Sequence, residues 1–163
     1  MSQNIVIVAH GKSEAVMWQN MSMRLKLNLH IYSEKGGEET ISISHLPGLF
    51  TDGALSSEKS IIGEFGNELN VVNRRSGRLP GLRIFTVMDI DGNSRDKKAY
   101  MSGDLLRNMP LGDRIVPIYN DDNLDQVMEQ MGYRIDTGRP KASSYAETTR
   151  AIAPNRLSPI SFP

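Results

Sequence analysis

Residues 4–9 read NIVIVA, apolar and β-branched at both odd and even positions. A strand with one face in water alternates apolar with polar; this one does not, so it suits a strand covered on both faces, as in a parallel sheet between helices. Parallel neighbours need long crossovers, usually helical, so the chain must alternate strands with helices. The remaining sequence obeys. From Ser13, SEAVMWQNMSMRLKL sets Val16, Met17, Met21, Leu25 and Met23 on a broad helical stripe, with Ser13 as N-cap and Glu14 in the first turn. A short strand follows at Leu29 to Ser33, then a Gly36-Gly37 turn.

Ile41, Leu46, Leu49 and Phe50 outline a helix that Pro47 and Gly48 interrupt, and SSEKSIIGEFGNEL from Ser56 places apolar residues 61, 62, 65 and 69 at helical spacing. RRSGRLPG, residues 74–81, reads as a basic surface loop. A strand begins at Leu82 in LRIFTVMDIDG and ends in two aspartates; SRDKKAYMSGDLLRNM follows as a polar helix. RIVPIYN from Arg114 is a fourth strand, whose Pro117 points to a sheet edge or a bulge. NLDQVMEQMGY is a short helix stopped by Gly132, and SSYAETTRAIA is a possible last helix before a Pro-bearing tail. The order β-α-β-(α)-α-β-α-β-α predicts an α/β fold: a mainly parallel sheet of about four strands with helices on both faces. We expect one such domain over residues 1–133 and a C-terminal extension over 134–163.

A length of 163 residues suits one core, and an apolar share of 39% with 23% charged residues suits a globular chain. Lysine plus arginine and aspartate plus glutamate balance at 19 each, so any phosphate-bearing partner must be held by local charge. The lack of cysteine excludes disulfides and thiolate chemistry and fits a reducing compartment. No apolar stretch nears the roughly 18 residues of a membrane span, and Ile5 to Val8 is too short for a signal-peptide core. The expected location is the cytoplasm, with no membrane partner.

Two motifs fall at carboxyl ends of predicted strands, where ligands gather in open α/β sheets. In MDIDGNS, residues 88–94, Asp89 and Asp91 lie two apart and repel unless a cation sits between them; magnesium, or manganese in its place, is the economical choice. The plainer alternative is a helix-capping aspartate beside a solvated one, since Asp-Gly-Asn is also good turn chemistry. In AHGKSE, residues 9–14, Lys12 offers a phosphate-compatible cation and His10 a proton carrier, but a strand turning into a helix needs only Gly11, Ser13 and Glu14.

Together these residues resemble the Toprim family of topoisomerases, bacterial primases, small ribonucleases and overcoming-lysogenisation-defect nucleases of phage defence. HGKSE, residues 10–14, is similar to that family's Glu-Gly-Lys-Ser/Thr-Asp/Glu turn at every position but the first, and MDIDG, residues 88–92, to its Asp-x-Asp strand end. IVPIYNDDNLDQVM, residues 115–128, is similar to the strand, turn and helix that follow in small Toprim-like proteins. The resemblance implies a magnesium-dependent nuclease or phosphotransfer protein acting on nucleic-acid phosphodiesters. Asp89, Asp91 and Glu14 would be the metal ligands, with His10, Lys12 and Glu14 catalytic.

The departure is His10, where the family carries glutamate. Histidine is a poorer magnesium ligand, so His10 carries the proton, or Glu14 takes over, or the module binds nucleic acid or a protein partner without cutting. Asn120, Asp121 and Asp122 extend the acidic rim or merely cap the next helix. Arg74, Arg75 and Arg78, with Lys97 and Lys98, track a nucleic-acid backbone or are ordinary solvated charge. A haloacid-dehalogenase-like phosphatase is the second alternative, weakened by Asn93 where that family has threonine and by the short downstream chain. An EF-hand fails because Gly92 is in the fourth loop position instead of the sixth and Tyr100 occupies the place of the bidentate glutamate.

Overall fold

A computed structural model describes residues 3–70, 76–90 and 95–120, together with residues 126, 129, 130, 132, 138, 140, 143, 144 and 147. Four strands form one sheet: β1 (Asn4–Ala9), β2 (Leu29–Tyr32), β3 (Leu82–Asp89) and β4 (Ile115–Asn120). Their order is β2-β1-β3-β4, and every pairing is parallel, so the expected α/β class is observed. The helices are α1 (Lys12–Leu25), α2 (Leu46–Thr51), α3 (Glu58–Phe65), α4 (Arg95–Met101) and α5 (Asp104–Arg107).

The connections go both ways from the centre. From β1 the chain crosses to β2 on one side, and from β3 to β4 on the other; right-handed crossovers then place α1 on one face and α4 and α5 on the opposite face. Side-chain parity agrees. Val6, Val8, Ile84 and Met88 form one core with Leu46, Phe50, Ile61, Tyr100 and Leu106. Ile7, Ala9 and Val87 alternate with them and are buried, as are Ala15 and Met17 of α1, yet all five lie outside that core.

Buried polar groups hold the layers in place. The Tyr100 hydroxyl lies 2.7 Å from the Thr86 carbonyl, 3.0 Å from the Ile118 carbonyl and 2.8 Å from Thr86 Oγ1, tying α4 to both β3 and β4. Burial pushes this phenol up to about 12, so it stays a donor. At the amino end of β1, Asn4 Nδ2 donates to the carbonyls of Asn70 and Pro80, and its Oδ1 accepts from Asn70 N–H.

Several sequence expectations shift. Ser13 is not the N-cap of α1: Gly11 is, in extended backbone and without a side-chain cap bond, so the helix starts two residues earlier. Pro47 does not interrupt α2 but occupies its first turn, where its missing N–H costs nothing. The helix drawn from Ser94 to Met109 breaks at Gly103, which takes a φ of 78°. Met23 is 70% exposed, because six residues from Met17 is about 240° around the helix. Pro117 does lie on an edge strand. The proposed helix at 123–132 and the extension from 134 lie largely outside the described residues.

No described helix is long and apolar enough to cross a membrane. His30 on β2 is 3% exposed, packs against the Phe65 ring and has no hydrogen-bond partner on either nitrogen among the described residues. Burial pulls its imidazole below the ordinary 6.5, outweighing the Glu68 carboxylate 3.9 Å away. The unfolded chain therefore binds this proton more readily. Stability that is full above pH 6.5 is lost as pH falls through that value towards the folded pKa. Urea denaturation between about pH 8 and pH 5 should show this decline, shallower in His30→Leu; an identical slope in the variant would remove His30 as its cause.

Candidate functional site

At the centre of the sheet β1 and β3 run side by side in the register Ala9↔Val87, the last paired row. One residue further β1 gives way to the His10-Gly11 turn, and two residues further β3 ends at Asp89. The strands are about 4.8 Å apart, so the two sequence motifs meet at one end of the sheet. The helices that follow leave for opposite faces, which makes these strand ends the topological switch point of the sheet, the place where ligand crevices form in open α/β folds.

His10 is held from an unexpected direction. Its carbonyl accepts from the Ile41 amide at 2.8 Å, and its ring Nδ1 lies 2.8 Å from the Ile41 carbonyl. A carbonyl only accepts, so Nδ1 carries the proton, and in the neutral ring Nε2 keeps the free lone pair. The half-buried imidazole is thereby fixed in tautomer and orientation, as a general base requires.

The segment bearing Ile41 packs on the turn from outside. Gly37, at φ 90°, lies so close that a Cβ there would stand 2.6 Å from Lys12 Cα. Glu14 folds back over the turn: its Oε2 would be 3.4 Å from a Cβ on Gly11. It therefore sits against the turn, while Lys12 is exposed at the first position of α1. Ile41 also walls a cavity of about 600 Å³, shared with Tyr32, Thr40, His45 and Leu49.

Asp89 is partly buried at the end of β3, directly beside Asn120 of β4. Asn120 Nδ2 donates to Asp89 Oδ1 at 3.2 Å, and the Ile90 amide donates to the Asn120 carbonyl at 3.3 Å. Asn120 thus orients the carboxylate. Asp91, Asp121 and Asp122 lie outside the described residues, as do Arg74 and Arg75. Lys98 is exposed and Lys97 half-buried on α4.

Among the described residues no group of three or more histidine, aspartate and glutamate side chains gathers closely enough to hold a metal ion. Asp89 is the described carboxylate at the end of β3. Sequence reasoning pointed to His10, Lys12, Glu14 and Asp89 but missed Ile41 and Gly37. Ile41 acts through its backbone, which any residue would supply; the Gly36-Gly37 pair was the available sign, and it read only as a turn.

Comparison with protein-family models, with curated proteins and with solved structures found no match to this chain.

The clamp on the turn can be tested by contrast. Gly36 and Gly37 both have positive φ, but a Cβ on Gly36 meets nothing within 4 Å. Gly36→Ala should cost about 1 kcal/mol for its left-handed backbone, and Gly37→Ala at least about 1 kcal/mol more, because Lys12 backbone must move. Equal losses in urea denaturation would mean that the segment does not press on the turn.

Proposed function

We propose that the crevice between β1 and β3 is a site for phosphodiester chemistry on nucleic acid, the reaction class that the Toprim resemblance implies. The observation that carries the reading is the pairing of these two strands. It brings a tautomerically fixed histidine with an adjacent lysine, and an oriented aspartate, to one switch point.

In this reading Lys12, exposed at the mouth of the crevice, contacts a phosphate oxygen of the substrate. As the oxygen of an attacking water bonds to phosphorus, His10 takes that water's proton at Nε2, the ester P–O bond to the leaving strand end breaks and its alkoxide takes a proton from solvent; the Ile41 carbonyl stabilises the imidazolium through Nδ1–H. Glu14, folded against the turn, completes the negative rim.

Magnesium fits such a site in its open form. It is commonly held by one or two carboxylates and completed by water and substrate phosphates, not by a cage of protein ligands. Asp89 would hold it, with Asp91 two residues on in sequence, and bound there it would neutralise charge developing on the phosphate. Asn120 keeps the Asp89 carboxylate aimed.

The test incubates purified protein with labelled DNA and RNA in magnesium or manganese, beside Asp89→Asn and His10→Ala. The expected result is cleavage by the parent chain, abolished in Asp89→Asn and slowed about 10²–10⁴-fold in His10→Ala. No cleavage of any polymer, or cleavage undiminished in Asp89→Asn, would overturn the reading. A mobility shift without cleavage would favour a binding module.

A further inference from the structure

At the opposite end of the sheet the chain builds a second concavity. Residues 76–83 lead from the basic loop into β3. With Glu58 of α3 and the 3₁₀ turn Gly112–Arg114, they surround a cleft of about 660 Å³. Three guanidinium groups line it, each from a different element: Arg78 from the loop, Arg83 from β3 and Arg114 from the turn before β4.

Glu58 assembles this cleft. One of its oxygens accepts from Arg114 Nη1 at 2.8 Å and the other from the Leu79 amide, so a single half-buried carboxylate ties the Arg78 loop to the Arg114 turn. Arg114 is therefore committed, with the exposed Asp113 carboxylate a looser neighbour at 3.9 Å. Arg78 and Arg83 are uncommitted. Both are exposed, and neither forms an ion pair among the described residues; Arg83 reaches only the Asp113 backbone carbonyl, at 3.5 Å.

The three guanidiniums outnumber the Glu58 and Asp113 carboxylates that share the lining, which leaves the cleft a local positive excess in a chain whose net charge is zero. The planar fork of arginine suits phosphate oxygens in particular. Arg74 and Arg75 immediately precede this wall in sequence.

We propose that the cleft binds a nucleotide phosphate, carried by a free nucleotide or by the end of a nucleic-acid strand. The choice of nucleotides among phosphate-bearing ligands rests on the function proposed above; the anion site itself does not. β3 is eight residues long, so cleft and crevice stand about 25 Å apart, and the two sites are separable.

The test measures fluorescence anisotropy of a 5′-phosphorylated, 3′-labelled single-stranded oligonucleotide in EDTA, where cleavage is silent. Arg78→Glu/Arg83→Glu should weaken binding about tenfold or more and lower the salt slope by about 2. Arg78→Ala/Arg83→Ala should weaken it less, and the charge-matched control Arg24→Glu/Lys26→Glu should not change it; melting curves verify folding.

Competition then separates the sources. Adenosine monophosphate displacing the probe marks a free-nucleotide site; loss of affinity on removing the 5′-phosphate, without that displacement, marks a strand end. The proposal is overturned if the parent chain binds none of these probes, if both arginine double variants bind like the parent, or if the control loses as much. Arginine-dependent binding by a protein that cleaves nothing would sink the catalytic reading alone. Cleavage with arginine-independent binding would sink the cleft alone.

Discussion

The parallel pairing of β1 with β3 is the contact on which the rest depends. These are the two inner strands, paired over six residues from Asn4↔Leu82 to Ala9↔Val87. Each is covered on both faces, which demands the apolar runs that NIVIVA and LRIFTVMD provide. The same register sets which residues meet at the carboxyl ends of the two strands. A slip of one residue in β3 would turn Ile84 and Met88 away from the core they share with Val6 and Val8 and shift Asp89 relative to the His10 turn.

Around this axis the molecule uses buried polar groups as brackets. Asn4 closes the amino end of β1 against residues 70 and 80, and Tyr100 fastens α4 across β3 and β4. The carboxyl end is bracketed by the Ile41 backbone, which grips His10, and by the Asn120 side chain, which grips Asp89. Neither grip comes from the residue's own strand. The proposed chemistry thus depends on the segment after β2 and on the edge strand β4 as much as on the motifs themselves.

Much of the strand content was legible in the sequence, because burial on two faces leaves an unmistakable apolar run and Pro117 is tolerated at an edge. The strand order was not. That β3 inserts on the far side of β1 from β2 is a tertiary choice, carried by the long stretch between Tyr32 and Leu82. Local punctuation misled where residues have more than one use: Ser13 looks like a cap yet sits inside the helix, and Pro47 looks like a breaker yet begins one. In the site, His10, Lys12, Glu14 and Asp89 were visible as side-chain chemistry, whereas Ile41 was invisible because its contribution is a carbonyl. In the arginine cleft Arg78 was visible in its loop. Arg83 and Arg114 join it only once β3 and β4 are side by side.

The central claim is that the ends of β1 and β3 form a single metal- and phosphate-binding crevice. Paramagnetic broadening of backbone amide NMR signals by manganese tests it most directly. The account predicts that substoichiometric manganese broadens the amides of residues 10–14 and 89–90 together, and that Asp89→Asn removes the effect from both segments at once. Broadening confined to other acidic surfaces, or at only one of the two segments, would contradict it.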